Sequence, residues 1–270
     1  AKCIEHFSYI HHPTYFAMYL MLGMALMFYG FKCGWNRFEY PYLVSFIVFA
    51  TIMTALTMSL SAFFCFGLIA GGAGWFWVYK RFGFNWAFLG IFGLASILTI
   101  FVLATDLRSD FYYTYQSILK YLENPESFLY NANRYLIGNE VRLIMWTSAI
   151  ILILEHPFGV GTGNVDYFLA DKLESYGLHN LAANHYNPHN QYLQTFLEIG
   201  IVGILILLIL LFYLIKYAVQ NKNKILLLFV ACFVFNCLFE SILQRQSGIV
   251  FFTFWACALM FLPPILKKND

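Results

Sequence analysis

Long apolar stretches alternate with polar ones along this chain. A helix needs roughly 20 apolar residues to cross a bilayer. The early stretches that approach this length are 13–31, 42–60, 62–79 and 86–104, and the late ones are 190–216, 225–240 and 248–266. Between them lies a polar segment, 105–189, whose one apolar run, Leu143 to Leu154, is short for a span. We expect that run to form a helix at the membrane interface. The pattern predicts an all-α polytopic membrane protein with about seven transmembrane helices and a long extracytoplasmic segment carrying short interfacial helices. Three regions follow: 1–104 with the first group of spans, 105–189 with the candidate catalytic segment, and 190–270 with the last spans.

The basic residues orient this arrangement. Lys32 and Arg37, Lys80 and Arg81, Lys216 with Lys222 and Lys224, and Lys267 with Lys268 all fall on one side if the spans alternate. Lys and Arg mark the cytoplasmic side. The opposite, periplasmic side then holds His11 and His12, Ser59 and Ser61, all of 105–189 and the turn from Glu240 to Gly248. The expected location is the bacterial inner membrane, with the active face periplasmic. Residue 1 also falls outside under this alternation, and no signal peptide precedes the polar start. We therefore expect an N-terminally truncated chain.

Composition supports lipid as the solvent. Of 270 residues, 61% are hydrophobic, 20% aromatic and 11% charged, against about a quarter charged in soluble domains. The cysteines, Cys3, Cys33, Cys65, Cys232, Cys237 and Cys257, lie mostly in apolar runs and show no zinc spacing, so they read as packing residues. The stretch 105–140 is rich in Tyr and Asn, which suits the headgroup belt and would also suit sugar stacking.

Polar residues with chemical potential concentrate between Glu140 and Gly203. Asn139 reads as a helix N-cap, with Arg142 in the first turn. An arginine there can grip a phosphate or diphosphate with two parallel hydrogen bonds, or reach lipid headgroups, and these residues alone leave both open. His156-Pro157 should stop that helix. Gly159, Gly161 and Gly163 follow at every second position, where glycine lets backbone amides approach a ligand closely. The segment lacks the lysine of a P-loop and the strand context of a dinucleotide site.

The third piece is His185-Tyr-Asn187-Pro188-His189-Asn190-Gln191, leading into a long apolar run. Asn187 and Pro188 predict an N-cap and first helical residue, which puts His189 in the first turn of the span. A helix start attracts anions, and an imidazole there can serve as a general base. Asn190, Gln191, Gln194 and Glu198 form a polar stripe, and polar groups within a span face a cavity or a partner helix. Gly200 and Gly203 lie on another face, where a neighbouring helix could pack closely. His179, His185 and His189 could suggest zinc, but Pro188 breaks their register and no metalloprotease motif joins them, so no metal is expected.

These residues resemble the bacterial O-antigen ligase and polymerase family. The likeness runs from about residue 139 to 205: Arg142, Trp146 and Ala149, then His156-Pro157 with Gly159-Val160-Gly161-Thr162-Gly163-Asn164, then His189-Asn190 followed at fixed spacing by Gly200 and Gly203. His12-Pro13-Thr14-Tyr15 is similar to an earlier helix start in some members. The resemblance implies a metal-independent, cofactor-free glycosyltransferase that takes a glycan from undecaprenyl diphosphate. A ligase hands it to lipid A-core, a polymerase to another lipid-linked repeat, and related enzymes to protein hydroxyls. It implies His189 as the group activating the acceptor and Arg142 as a diphosphate contact, and we expect Asn190, Gln194, Gly161, Gly163 and His185 around the substrate.

One departure matters. Many members carry a serine followed by a cation at the outer end of an earlier span, where this chain has Ser59-Leu60-Ser61-Ala62. Arg245, in the turn from Gln244 to Gly248, is the substitute we expect to bind substrate, with Arg134 and Arg108 as others. A ligase fits the histidine-to-glycine spacing better than a polymerase. A transporter or flippase would show broken helices or charge near mid-bilayer, but the late spans offer mainly Asn236. The expected partners are the lipid-linked glycan, its acceptor and membrane lipid, and not nucleic acid.

Overall fold

In a computed structural model the residues described are 13–32, 40–56, 79, 81–85, 88–89, 107–129 and 138–261. Among them the chain is helical and contains no strand. The helices are α1 (Pro13–Lys32), α2 (Tyr40–Leu56), α3 (Leu107–Glu123), α4 (Gly138–Glu155), α5 (Val165–Ser175), the single turn α6 (His179–Ala182), α7 (Gln191–Gln220), α8 (Lys224–Asn236) and α9 (Gln246–Phe261). The apolar stretches 13–31, 42–60, 190–216, 225–240 and 248–266 correspond to α1, α2, α7, α8 and α9. Most of 62–79 and 86–104 lies outside the described residues. Among the described residues one helix, α7, is long and apolar enough to cross a membrane, while Met18–Met27 within α1, α8 and α9 are shorter apolar segments.

The chain divides into two compact units. The first comprises 1–72 with 206–270. Met18, Met21, Leu22 and Ala25 repeat at helical spacing on α1 and are buried, and they share a small apolar cavity with Phe229 and Phe233 of α8 and Phe251 of α9. Phe233 and Phe252 stack at 4.1 Å. The Tyr15 hydroxyl donates to the Ile242 carbonyl (3.1 Å), fastening the start of α1 to the turn before α9. That turn needs Gly248, because a Cβ there would sit 2.0 Å from the same carbonyl. Asn223 caps α8 by accepting from Leu226 N–H and donates to the Leu259 carbonyl (2.8 Å).

The second unit comprises 73–205. Its core is built on α4, whose Ile144, Met145, Ala149 and Leu152 are buried against Leu169 and Leu173 of α5, together with Leu197 of α7. The run Leu143 to Leu154 is thus the inner part of an 18-residue helix with a buried stripe. At its start the buried Glu140 accepts from Ser117 of α3 (3.0 Å). The expected helix start at Asn139 falls one residue inside α4, and the helix ends at Glu155, ahead of Pro157 as its missing N–H requires.

Candidate functional site

Three segments of the second unit hold most of the candidate residues: α4, the turn 156–164, and the turn 185–190 that leads into α7.

The turn into α7 differs from the sequence expectation. The helix begins at Gln191, and its N-cap is Asn190, whose side-chain oxygen accepts from Tyr192 N–H (3.0 Å) and Leu193 N–H (3.2 Å). Asn187 does not cap the helix. Its side-chain oxygen accepts from His189 N–H (2.9 Å) in a local Asx turn. His189 has φ +47°, a left-handed conformation that no helix can include, so the helix starts three residues later than Asn-Pro suggested. The half-buried His189 therefore stands directly before the cap instead of in the first turn. Its ring lies 6.4 Å from that of Tyr186.

The Pro188 carbonyl, one residue before the histidine, accepts from the indole N–H of Trp146 on α4 (2.9 Å). Arg142, half-buried, lies one helical turn before Trp146 on the same face of α4. His185 is exposed, has φ +48° and meets the ring of Tyr167 edge-on at 5.5 Å. His179 pairs with Glu174 at the surface (2.7 Å). Among the described residues no three His, Cys, Asp or Glu side chains are grouped as metal ligands.

The polar stripe on α7 is largely buried. Gln194 donates to Glu198 (2.7 Å), Gln191 donates to Thr195 (2.9 Å), and Gln191 and Gln194 are 2% and 1% exposed, well inside the fold. The side-chain oxygen of Gln194 has no hydrogen-bond partner among the described residues.

The glycine turn does something the sequence did not suggest. Gly200 breaks α7 with φ +71° and ψ −160°, which denies the carbonyls of Leu197 and Glu198 their usual partners four residues on. The turn supplies replacements: Val160 N–H donates to Leu197 (2.6 Å), Gly161 N–H to Glu198 (3.2 Å), and Ile201 N–H donates back to Pro157 (3.1 Å). The contact is tight enough to need glycine on both sides. A Cβ at Gly159 would lie 2.7 Å from Gly200 N, and one at Gly200 would lie 2.3 Å from the Phe158 carbonyl carbon. The amides of Val160 and Gly161, expected to face a ligand, thus complete a broken helix. Gly200, expected to receive a neighbouring helix, receives this turn instead. Gly163 has φ +86° and open space where a side chain would go.

Arg245 belongs to the first unit. It is exposed, in extended conformation (φ −108°, ψ 141°), and its carbonyl accepts from Gly248 N–H (3.0 Å) and Ile249 N–H (3.1 Å) in the first turn of α9. In the same turn region Glu240 is buried. Ser59, Ser61 and Arg134 lie outside the described residues, and Arg108 belongs to α3.

The chain resembles an uncharacterized protein of Haemophilus influenzae, with 28% identity over 122 residues, covering 41% of this chain and 31% of that protein. The chain therefore spans under a third of that relative's length in the match. The family profile described as O-antigen ligase matches residues 45–208, which contain Arg142, the glycine turn, His189 and both helix glycines, while Glu240 and Arg245 fall beyond it. With well over half its length inside that match, the chain belongs to the O-antigen ligase family, a family of membrane proteins.

Proposed function

We propose that this protein transfers a glycan from a polyprenyl diphosphate, undecaprenyl diphosphate in bacteria, to an acceptor hydroxyl at the periplasmic face of the inner membrane. The reading is of ligase type, with lipid A-core as acceptor. The observation that carries it is the position of His189, half-exposed and held just before the cap of α7, a helix long and apolar enough to span a membrane. A base there would meet a membrane-bound donor at the bilayer surface.

In this reading the acceptor oxygen attacks the anomeric carbon of the donor glycan. The bond from that carbon to the diphosphate oxygen breaks, and the diphosphate leaves with the electron pair. The acceptor proton passes to the His189 imidazole. Arg142 holds the diphosphate through charge-assisted hydrogen bonds that strengthen as negative charge develops. Asn190, Gln194, Gly163 and His185 lie around the substrate. Diphosphate is a good leaving group, so cationic contacts and a base suffice without a cofactor. We also place 105–189 on the periplasmic side, between spans within 1–104 and 190–270.

The test is His189→Ala in the intact protein in its own host, with surface lipopolysaccharide and lipid-linked glycan examined together. Loss of the polysaccharide ladder with accumulation of long lipid-linked polymer is the expected result. Collapse of long chains to a single repeat would make the protein a polymerase. An unchanged profile with the protein present in the membrane would overturn the assignment and favour protein glycosylation or transport.

A further inference from the structure

We propose that Trp146 is a positioning residue for His189, acting through the indole hydrogen bond to the Pro188 carbonyl; this rests on the function proposed above. The bond joins residues 42 apart in sequence at 2.9 Å. Tryptophan has a single polar group, an N–H that only donates, and here it is committed to the residue preceding the histidine. Pro188 is buried, and the helical ladder of α7 starts later, with the Asn190 carbonyl accepting from Gln194 N–H. The Pro188 carbonyl thus lies outside the ladder, and the indole satisfies it.

His189 itself is held in a conformation it would not choose. A left-handed residue other than glycine persists where its surroundings over-determine it. Asn187 takes its N–H, the Asn190 cap fixes the chain after it, and Trp146 ties the carbonyl before it to another helix. Arg142 sits on the same face of α4 one turn away, so one helix face carries the diphosphate contact and anchors the turn bearing the base. Without the N–H the turn is free to relax, and the base loses its alignment while the donor contact stays. Misalignment of a catalytic group lowers the turnover rate more than ground-state binding.

The experiment measures initial rates of the full-length protein in native membranes with its own lipid-linked donor. Three forms are compared with wild type: Trp146→Phe, His189→Ala, and a protein carrying benzothienylalanine at 146, which keeps the shape of tryptophan but has sulfur in place of the N–H. The expected result is that Trp146→Phe and the benzothienylalanine form both lose about ten-fold in kcat, with donor KM changed by less than about two-fold. Asn187→Ala, which releases the His189 amide, should shift kcat in the same direction. Full activity in the benzothienylalanine form beside an inactive His189→Ala would overturn the inference and leave the proposed function standing. A rise in donor KM without a fall in kcat would also overturn it, since it would assign Trp146 to donor binding. An active His189→Ala would remove the proposed function and this inference with it.

Discussion

Two turns of the second unit look alike in sequence and do opposite work. Both 156–164 and 185–190 contain His-Pro or Pro-His, small or polar residues, and left-handed backbone. In the first, left-handed conformations fall on Gly159, Gly161 and Gly163, and the amides of residues 160 and 161 complete the broken ladder of α7. In the second, they fall on His185 and His189, whose rings meet those of Tyr167 and Tyr186. Glycine where the chain must bend marks a structural joint. A histidine in the same bend accepts strain that glycine avoids, in keeping with the side-chain role proposed for His189.

The comparison breaks first at Gly200. Valine there would place a Cβ 2.3 Å from backbone that cannot yield, in a left-handed conformation that β-branched residues avoid. We expect a loss of about 3 kcal/mol or more, read as little or no folded protein in membrane extracts. Gly159→Ala should do nearly as much, because its Cβ meets the Gly200 nitrogen at 2.7 Å. Normal abundance of both variants would show that the turn does not hold the helix break.

The second turn should respond the other way. His189→Gly removes the imidazole but suits φ +47°, so stability should hold within about 1 kcal/mol. Transfer should fall by about 10²–10⁴-fold, the usual contribution of a general base. Thermal unfolding of the solubilised protein beside a transfer assay separates the two effects. A variant that melts early and loses activity in proportion would make His189 a structural residue like Gly200.

Helix existence was legible where it depended on local composition. The apolar runs that became α1, α7, α8 and α9 needed only their neighbours in sequence. The N-cap of α7 was misplaced by three residues because both Asn187 and Asn190 are good caps. What separates them is the left-handed His189, held in part by Trp146 from 42 residues away. The task of the glycine turn was hidden for the same reason, since its partners are carbonyls freed by a break about forty residues later. Arg142 and His189 were legible from their places at helix starts, the family pattern added Trp146, and the link between Trp146 and the turn before His189 came from the fold.

A smaller change tests the start of α7. Asn190→Ala removes the side-chain acceptor for Tyr192 and Leu193 N–H. The loss of such a cap costs about 1 kcal/mol. For a protein of this size that lowers the melting temperature by about 2–4 °C. Asn187→Ala should cost less, because its bond holds one amide within a local turn. If Asn187→Ala proved the more destabilising, the helix would begin at Pro188 as the sequence alone suggests.

The smallest expected effect separates the two burdens that glycine carries in the first turn. Gly159 is confined by both conformation and space. Gly163 is confined by conformation alone, with φ +86° and nothing within 4 Å of an added Cβ. Gly163→Ala should therefore cost only the left-handed penalty, about 1 kcal/mol, part of which is recovered because alanine restrains the unfolded chain. Gly159→Ala carries the same penalty plus the clash. The difference between the two melting temperatures then measures how tightly the turn presses on α7. Equal melting temperatures would mean that the contact at Gly159 relaxes freely, and the turn would lose its standing as the joint that completes the broken helix.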